Sequence, residues 1–388
     1  MLGILTGPKR RGLRLVGGIV IGGIALAACG STSAKPAAVG ASATVTAVGA
    51  SATPSGPNDL NPPGASLTGA GSSFDNPFFT SAFYEYNKLV SSVTVTYASV
   101  GSGGGIAQFQ ANTVNFGASD VPMQAADLAK DTGGPALQIP VALGGEAISY
   151  NLYGVKTGLH MTGTVLAQIY LGQITNWDDP AIAALNTGVT LPNEAITVVH
   201  RSDGSGTTYI FTNYLSVVSP AWAAGPGTGK SVNWPVGVGG AQNAGVAGEV
   251  AEVPGSIGYV ELAYALQNNF TYCAMENAAG DYVSPTLASV AADAAQVPNV
   301  TATNFAIVNQ QGAQSYPISG YSWALVYQNQ PNLSTGVTLA KMLDWLTHAG
   351  QQYAQKLSYV PLPANIQQLA RTTILMMQGP SQQVLLNQ

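Results

Sequence analysis

The chain has 388 residues, with 13 Lys and Arg against 18 Asp and Glu, 46% apolar side chains and only 2 cysteines. The acidic balance argues against nucleic acid as a partner and against a polybasic hold on membranes. Two cysteines and three histidines leave zinc centres and thiol redox chemistry short of ligands.

Taken in chain order, Lys9, Arg10, Arg11 and Arg14 come first, before an uncharged run over residues 15–28. The run is short for a membrane-spanning helix. It ends in Leu26-Ala27-Ala28-Cys29, small residues followed by a cysteine, the pattern of a bacterial lipoprotein cleavage site. Residues 1–28 therefore read as a signal peptide, and Cys29 as a mature N-terminus lipidated on its thiol. An ordinary signal peptide with an incidental cysteine is the plainer alternative. Acyl chains on Cys29 would anchor the chain strongly, at about 0.8 kcal/mol per buried CH₂. Cleavage there removes four bases and no acid, leaving nine bases against eighteen acids, a net charge of −9. An anion site in such a chain has to work by local geometry.

Residues 29–65 are rich in Ala, Ser, Thr, Gly, Pro and Val, and their only charged side chains are Lys35 and Asp59. With little to bury, the segment cannot offset its ordering entropy, and it reads as a flexible linker behind the anchor. With Cys29 lipidated, Cys273 has no disulfide partner and reads as a small hydrophobe.

From about residue 66 the pattern alternates between strands and helices, as in an α/β protein. Strands are predicted over 93–97, 114–118, 137–142, 147–152, 196–200, 256–260 and 323–327. Helices are predicted over 106–112, 164–171, 180–185, 207–218 and 339–348. The last sets Leu339, Met342, Leu343 and Leu346 on one stripe.

Four strand ends carry turns of small polar residues: Gly69-Ala70-Gly71-Ser72-Ser73-Phe74, Val100-Gly101-Ser102-Gly103-Gly104-Gly105, Gly117-Ala118-Ser119-Asp120 and Arg201-Ser202-Asp203-Gly204-Ser205-Gly206-Thr207. Each alone reads as a helix cap. Together they offer N–H groups at helix starts, hydroxyls and one guanidinium, the donors that surround a tetrahedral oxyanion. Arg201 is the only base between Lys156 and Lys230. It suits a bidentate oxyanion contact, and an ion pair with Asp203 is compatible with that role. Residues 224–231 (AGPGTGKS) resemble a nucleotide-binding loop but lack the strand before and the helix after it, and they read as a surface loop. Of the histidines only His200 lies near a candidate site, and it reads as a packed or exposed residue at a strand end.

These turns, with Asn112-Thr113-Val114-Asn115-Phe116 before Gly117, Ile169-Tyr170-Leu171-Gly172-Gln173-Ile174-Thr175-Asn176-Trp177-Asp178-Asp179 and Pro254-Gly255-Ser256-Ile257-Gly258-Tyr259-Val260-Glu261, resemble successive signatures of the periplasmic phosphate-binding proteins of Pst ABC transporters. The match continues through Asp344-Trp345 and covers nearly everything from about residue 66 onward. The resemblance implies a type II periplasmic-binding-protein fold of two α/β domains joined by a two-stranded hinge. Its expected divisions are residues 66–142 and 318–388 in one domain and 143–317 in the other. Inorganic phosphate is the implied ligand, held through Ser73, Phe74, Ser102, Asp120, Arg201, Ser205, Gly206 and Thr207. Ser73 stands where the family commonly has Thr, and Asp75-Asn76-Pro77 departs from the family's small and proline residues.

The implied protein is a monomeric binding protein without cofactor or metal, not an enzyme. It would be held outside the cytoplasm by lipidated Cys29 and would serve the permease and ATPase subunits of an importer. The alternatives are another tetrahedral oxyanion (sulfate, molybdate or arsenate) or a secreted phosphatase. Asp120 discriminates among the anions: a carboxylate accepts a proton-bearing phosphate oxygen and repels a fully ionised sulfate.

Overall fold

The computed structural model describes residues 60–388. The expected signal peptide, Cys29 and nearly all of the expected linker lie outside the described residues.

Twelve strands form among the described residues: β1 (Ala65–Gly71), β2 (Val93–Ser99), β3 (Phe116–Ser119), β4 (Ala136–Tyr150), β5 (His160–Met161), β6 (Thr197–Arg201), β7 (Val238–Gly240), β8 (Ser256–Glu261), β9 (Thr271–Tyr272), β10 (Ala274–Glu276), β11 (Tyr282–Val283) and β12 (Ser319–Tyr327). Nine join one mixed sheet in the order β2-β1-β3-β12-β4-β8-β6-β7, with β9 also on β4, and β11, β10 and β5 form a small second sheet. The architecture is the type II periplasmic-binding-protein fold expected from the sequence.

Register explains where a site can form. The strands β2, β1 and β3 run parallel, as do β8, β6 and β7. Between these blocks, β12 and β4 run antiparallel to their neighbours. Ser119 at the end of β3 lies opposite Trp323, which lies opposite Pro140 of β4. Glu261 at the end of β8 lies opposite Glu146. The carboxyl ends of the two parallel blocks thus approach the middle of β4 from opposite directions. Open α/β sheets bind ligands at such strand ends, because the helices that follow start there with unpaired N–H groups.

Each block has its own core. Leu67, Phe78, Phe83, Leu343, Trp345 and Ile374 pack together, so the helices Asn76–Leu89, Leu333–Thr347 and Ala364–Ile374 share an apolar cluster with β1. Ile148, Leu166, Tyr170, Trp177, Phe211 and Trp222 belong to another cluster, beside β4 and the helix Gly206–Val218. Cys273 is buried there and free, and burial pushes its thiol up.

The middle of the sheet differs from its sequence reading. The apolar runs 137–142 and 147–152 read as two separate strands, with Gly144 and Gly145 between them. They form one 15-residue strand, β4. A Cβ on Gly144 would lie 2.7 Å from the Phe74 ring, and one on Gly145 would lie 2.6 Å from Val290. The glycines serve close packing here and do not end the strand. Pro140, which lacks a ladder N–H, sits where the β4–β12 register shifts, between Ser322 and Trp323.

Candidate functional site

The first turn follows β1. Ser72, Ser73 and Phe74 are buried, so their carbonyls need partners. Three tyrosines supply them. Tyr97 Oη donates to Ser72 O at 2.8 Å, Tyr264 Oη to Ser73 O at 2.8 Å and Tyr359 Oη to Phe74 O at 2.5 Å. The turn is thereby anchored from β2, from the helix Leu262–Gln267 and from the C-terminal part of the chain. Ser72 N–H also donates to Ala118 O, and Val100 N–H to Gly71 O, both at 2.9 Å, which ties three strand ends together.

Asp120 follows β3 and is the point on which the turns converge. Ser72 Oγ donates to its Oδ1, and Ser322 Oγ lies 3.0 Å from the same oxygen. Its Oδ2 receives Thr207 Oγ1 at 3.4 Å and Ser102 Oγ at 3.5 Å, and its own N–H donates to Ser102 Oγ at 3.2 Å. Burial raises the Asp120 carboxyl above its ordinary range, and the Ser72 and Ser322 hydroxyls, the charge of Arg201 and the Thr207 hydroxyl offset that only in part. Gly206, the first residue of its helix, packs against it so closely that a Cβ would lie 2.5 Å from Asp120 Cβ. Only a residue without a side chain lets that helix start approach the carboxylate.

Arg201 ends β6 and is 3% exposed. Its Nε and Nη2 donate to Asp203 at 2.7 and 2.6 Å, and its Nη1 donates to Thr207 Oγ1 at 3.3 Å. Burial raises the Asp203 carboxyl, but the Arg201 contacts outweigh it and hold the group below its ordinary range. The guanidinium is therefore oriented by Asp203, which also balances much of its charge. Ser205 Oγ caps the helix Gly206–Val218 by accepting Thr208 N–H at 3.1 Å. Phe74 N–H donates to Ser72 Oγ at 3.0 Å.

The two blocks touch around this cluster. Asn243, at the start of the helix Gln242–Glu252, donates through N–H and Nδ2 to Ser73 Oγ at 3.1 and 3.0 Å, and through Nδ2 to Thr207 Oγ1 at 3.3 Å. Gly103 N–H donates to Gly204 O at 2.8 Å. At the rim, Lys230 Nζ pairs with Asp127 at 2.6 Å. Residues 224–231, which resemble a nucleotide-binding loop, pack on the helix Gly206–Val218: Gly229 N–H donates to Thr212 Oγ1 at 3.1 Å, and Lys230 O accepts Ser205 N–H at 2.8 Å. His200 stacks on Trp234 at 4.6 Å.

All eight residues expected at the site therefore lie at the facing strand ends. Five of them, Ser102, Asp120, Arg201, Gly206 and Thr207, form one contact cluster about Asp120. Ser72, Asn243, Ser322 and the three tyrosines were not expected there. Only Ser72 had a local signal, its place in the Gly-Ser turn. Chemically, the cluster gathers hydroxyls, helix N-termini, one oriented guanidinium and one buried carboxylate.

A PBP superfamily domain matches residues 39–349. The chain is 43% identical over 318 residues to the phosphate-binding protein PstS of Xylella fastidiosa, covering 80% of this chain and 86% of that one. It is 43% identical over 304 residues to the PstS of Pasteurella multocida, covering 78% and 87%. Among solved structures, a high affinity periplasmic phosphate-binding protein bound with phosphate superimposes with a TM-score of 0.63 at 20% identity, covering 79% of this chain and 93% of that one. That last likeness speaks for the fold; the identities to the curated relatives place the sequence, and the chain belongs to the PstS family of phosphate-binding proteins.

Proposed function

We propose that the chain is an extracytoplasmic binding protein that captures inorganic phosphate between its two strand blocks and delivers it to the permease and ATPase subunits of an ABC importer. The observation that carries this reading is the buried Asp120, ringed by hydroxyls and faced by Arg201. Hydroxyls, helix N-termini and a guanidinium donate to the unprotonated oxygens of a tetrahedral anion, and a carboxylate accepts from the protonated one. Phosphate near neutral pH keeps a proton; sulfate and molybdate have none. Calorimetric titration is expected to show phosphate binding one to one and no comparable heat from sulfate or molybdate. Equal binding of sulfate would sink the reading. Arsenate shares phosphate's protons and shape and is expected to compete.

In this reading residues 66–142 and 318–388 form one lobe, residues 143–317 the other, and the adjoining strands β4 and β12 bend between them. The ligand favours the closed arrangement by touching both lobes at once. The Lys230–Asp127 pair spans the rim, with side chains 24% and 20% exposed. Such pairs contribute at most about 1 kcal/mol. Lys230→Ala is therefore expected to speed phosphate release by up to about fivefold at low salt, and less at high salt. Stopped-flow displacement measures this, and an unchanged release rate at low salt would remove the pair from the closure mechanism.

The anchor is proposed on the Leu26-Ala27-Ala28-Cys29 pattern. Cys29→Ala is expected to abolish acylation and to leave the protein uncleaved or free of the membrane. Mass spectrometry of the mature N-terminus with membrane fractionation tests it. A mature terminus elsewhere, with retention unchanged, overturns it.

A further inference from the structure

Behind Asp120 lies a second carboxyl that the binding reading does not use. Asp75 is fully buried, and its Oδ1 has no hydrogen-bond partner among the described residues. Its Oδ2 lies 2.6 Å from Ser322 Oγ, and the same hydroxyl lies 3.0 Å from Asp120 Oδ1. A serine hydroxyl has one proton to give. It can donate to one of these carboxyls while accepting from the other, so a favourable chain of both contacts needs a proton on one of them.

The surroundings decide which. Asp120 is served by Ser72, Thr207 and Ser102 and feels the charge of Arg201. Asp75 faces Tyr97, Tyr359, Glu261 and Asp120, with no base among the groups that act on it. Burial and then the Asp120 charge push the Asp75 carboxyl well above the ordinary range. Glu146 and Glu261, also buried, are themselves pushed up, by burial first and by the Asp120 charge as well.

We propose that Asp75 is a positioning residue of the phosphate site: a neutral carboxyl that donates to Ser322, which donates in turn to Asp120 and holds it as the acceptor of the ligand's proton. The inference rests on the phosphate reading above. Passing a proton along the chain breaks the Asp75 O–H bond as a new Ser322 O–H bond forms, and Ser322 gives its original proton to Asp120. Charge is conserved, but a bare carboxylate is left at Asp75 with no base beside it, so the equilibrium stays with Asp120 ionised. A ligand must then bring its own proton, and sulfate stays excluded to lower pH than an unsupported Asp120 would permit.

The test is competition of sulfate against phosphate as a function of pH, with each variant's fold checked by circular dichroism. Ser322→Ala removes a donor from ionised Asp120, so the pH below which sulfate competes is expected to rise by about one unit. Ser322→Thr, which keeps the hydroxyl, is expected to restore it. Asp75→Asn keeps a neutral donor and is expected to hold the wild-type midpoint. A Ser322→Ala profile that superimposes on wild type overturns the proposal. So does a downward shift in Asp75→Asn, which would mean that an ionised Asp75 had been removed. Infrared difference spectra of the ligand-free proteins give a readout that does not depend on phosphate. At neutral pH, wild type minus Asp75→Asn is expected to show a carboxylic-acid C=O band, and its absence overturns the proposal even if Ser322→Ala fails to fold. A wild type that binds no phosphate would defeat the phosphate reading instead, while the infrared band would still report on Asp75.

Discussion

Arg201→Ala is expected to weaken phosphate binding by roughly a hundredfold, or about 3 kcal/mol, the scale of charge-assisted hydrogen bonds lost inside a buried site. The side chain is buried at the end of β6, and Asp203 holds its Nε and Nη2 while Nη1 reaches Thr207. Removing it takes away a donor already in place and leaves Asp203 as an uncompensated charge near an anion. The second effect separates in a double variant. Arg201→Ala with Asp203→Asn is expected to recover part of the loss but not all of it. Ser73→Ala should cost less than Arg201→Ala, because it removes a neutral hydroxyl donor and not a charged one. Isothermal titration of the four proteins decides the matter. Full recovery in the double variant would reduce Arg201 to a partner for Asp203.

Asp120→Asn is expected to retain measurable phosphate binding while discrimination against sulfate falls by at least tenfold, the equivalent of about 1.4 kcal/mol. The carboxylate has Ser72 and Ser322 at one oxygen and Thr207 and Ser102 at the other. An amide of the same size keeps one acceptor, adds a donor and removes the charge that repels an unprotonated anion. Sulfate then meets a donor in place of a carboxylate. Hydroxyls can rotate to suit the amide, so the surrounding cluster is expected to persist. Competition titrations at fixed pH measure the effect. A folded Asp120→Asn protein that binds phosphate and rejects sulfate as firmly as wild type would move selectivity onto the donor geometry of the Ser102 and Ser205 turns.

Much of the candidate site was legible in the chain because its parts are local. A glycine-serine turn after a strand and before a helix announces an N-terminus whatever the tertiary context. Four such turns, one isolated Arg and one Asp at a strand end mark the segments, and the resemblance to the Pst phosphate-binding proteins singles out Ser102, Asp120, Arg201 and Thr207 within them. The helix Gly101–Gln110 began earlier than the expected 106, because its glycine-rich first turn has poor helix propensity and is set by packing.

What the sequence by itself determined, then, was the alternation of strands and helices, the acidic charge that forces an anion site to be local, and the residues at each strand end. Which of those residues face one another was decided only by the tertiary structure. Ser72 and Ser73 lie in the turn after β1, where no strand alternation assigns their sides, and there they part company: one hydroxyl goes to Asp120 and the other accepts from Asn243. Asn243 and Ser322 lie 123 and 202 positions beyond Asp120 in the sequence, and no local pattern joins them to it. The tyrosines that hold the first turn come from residues 97, 264 and 359. Such pairings depend on strand register and on two cores packing independently, and propensity and capping, which act over a few residues, cannot encode them.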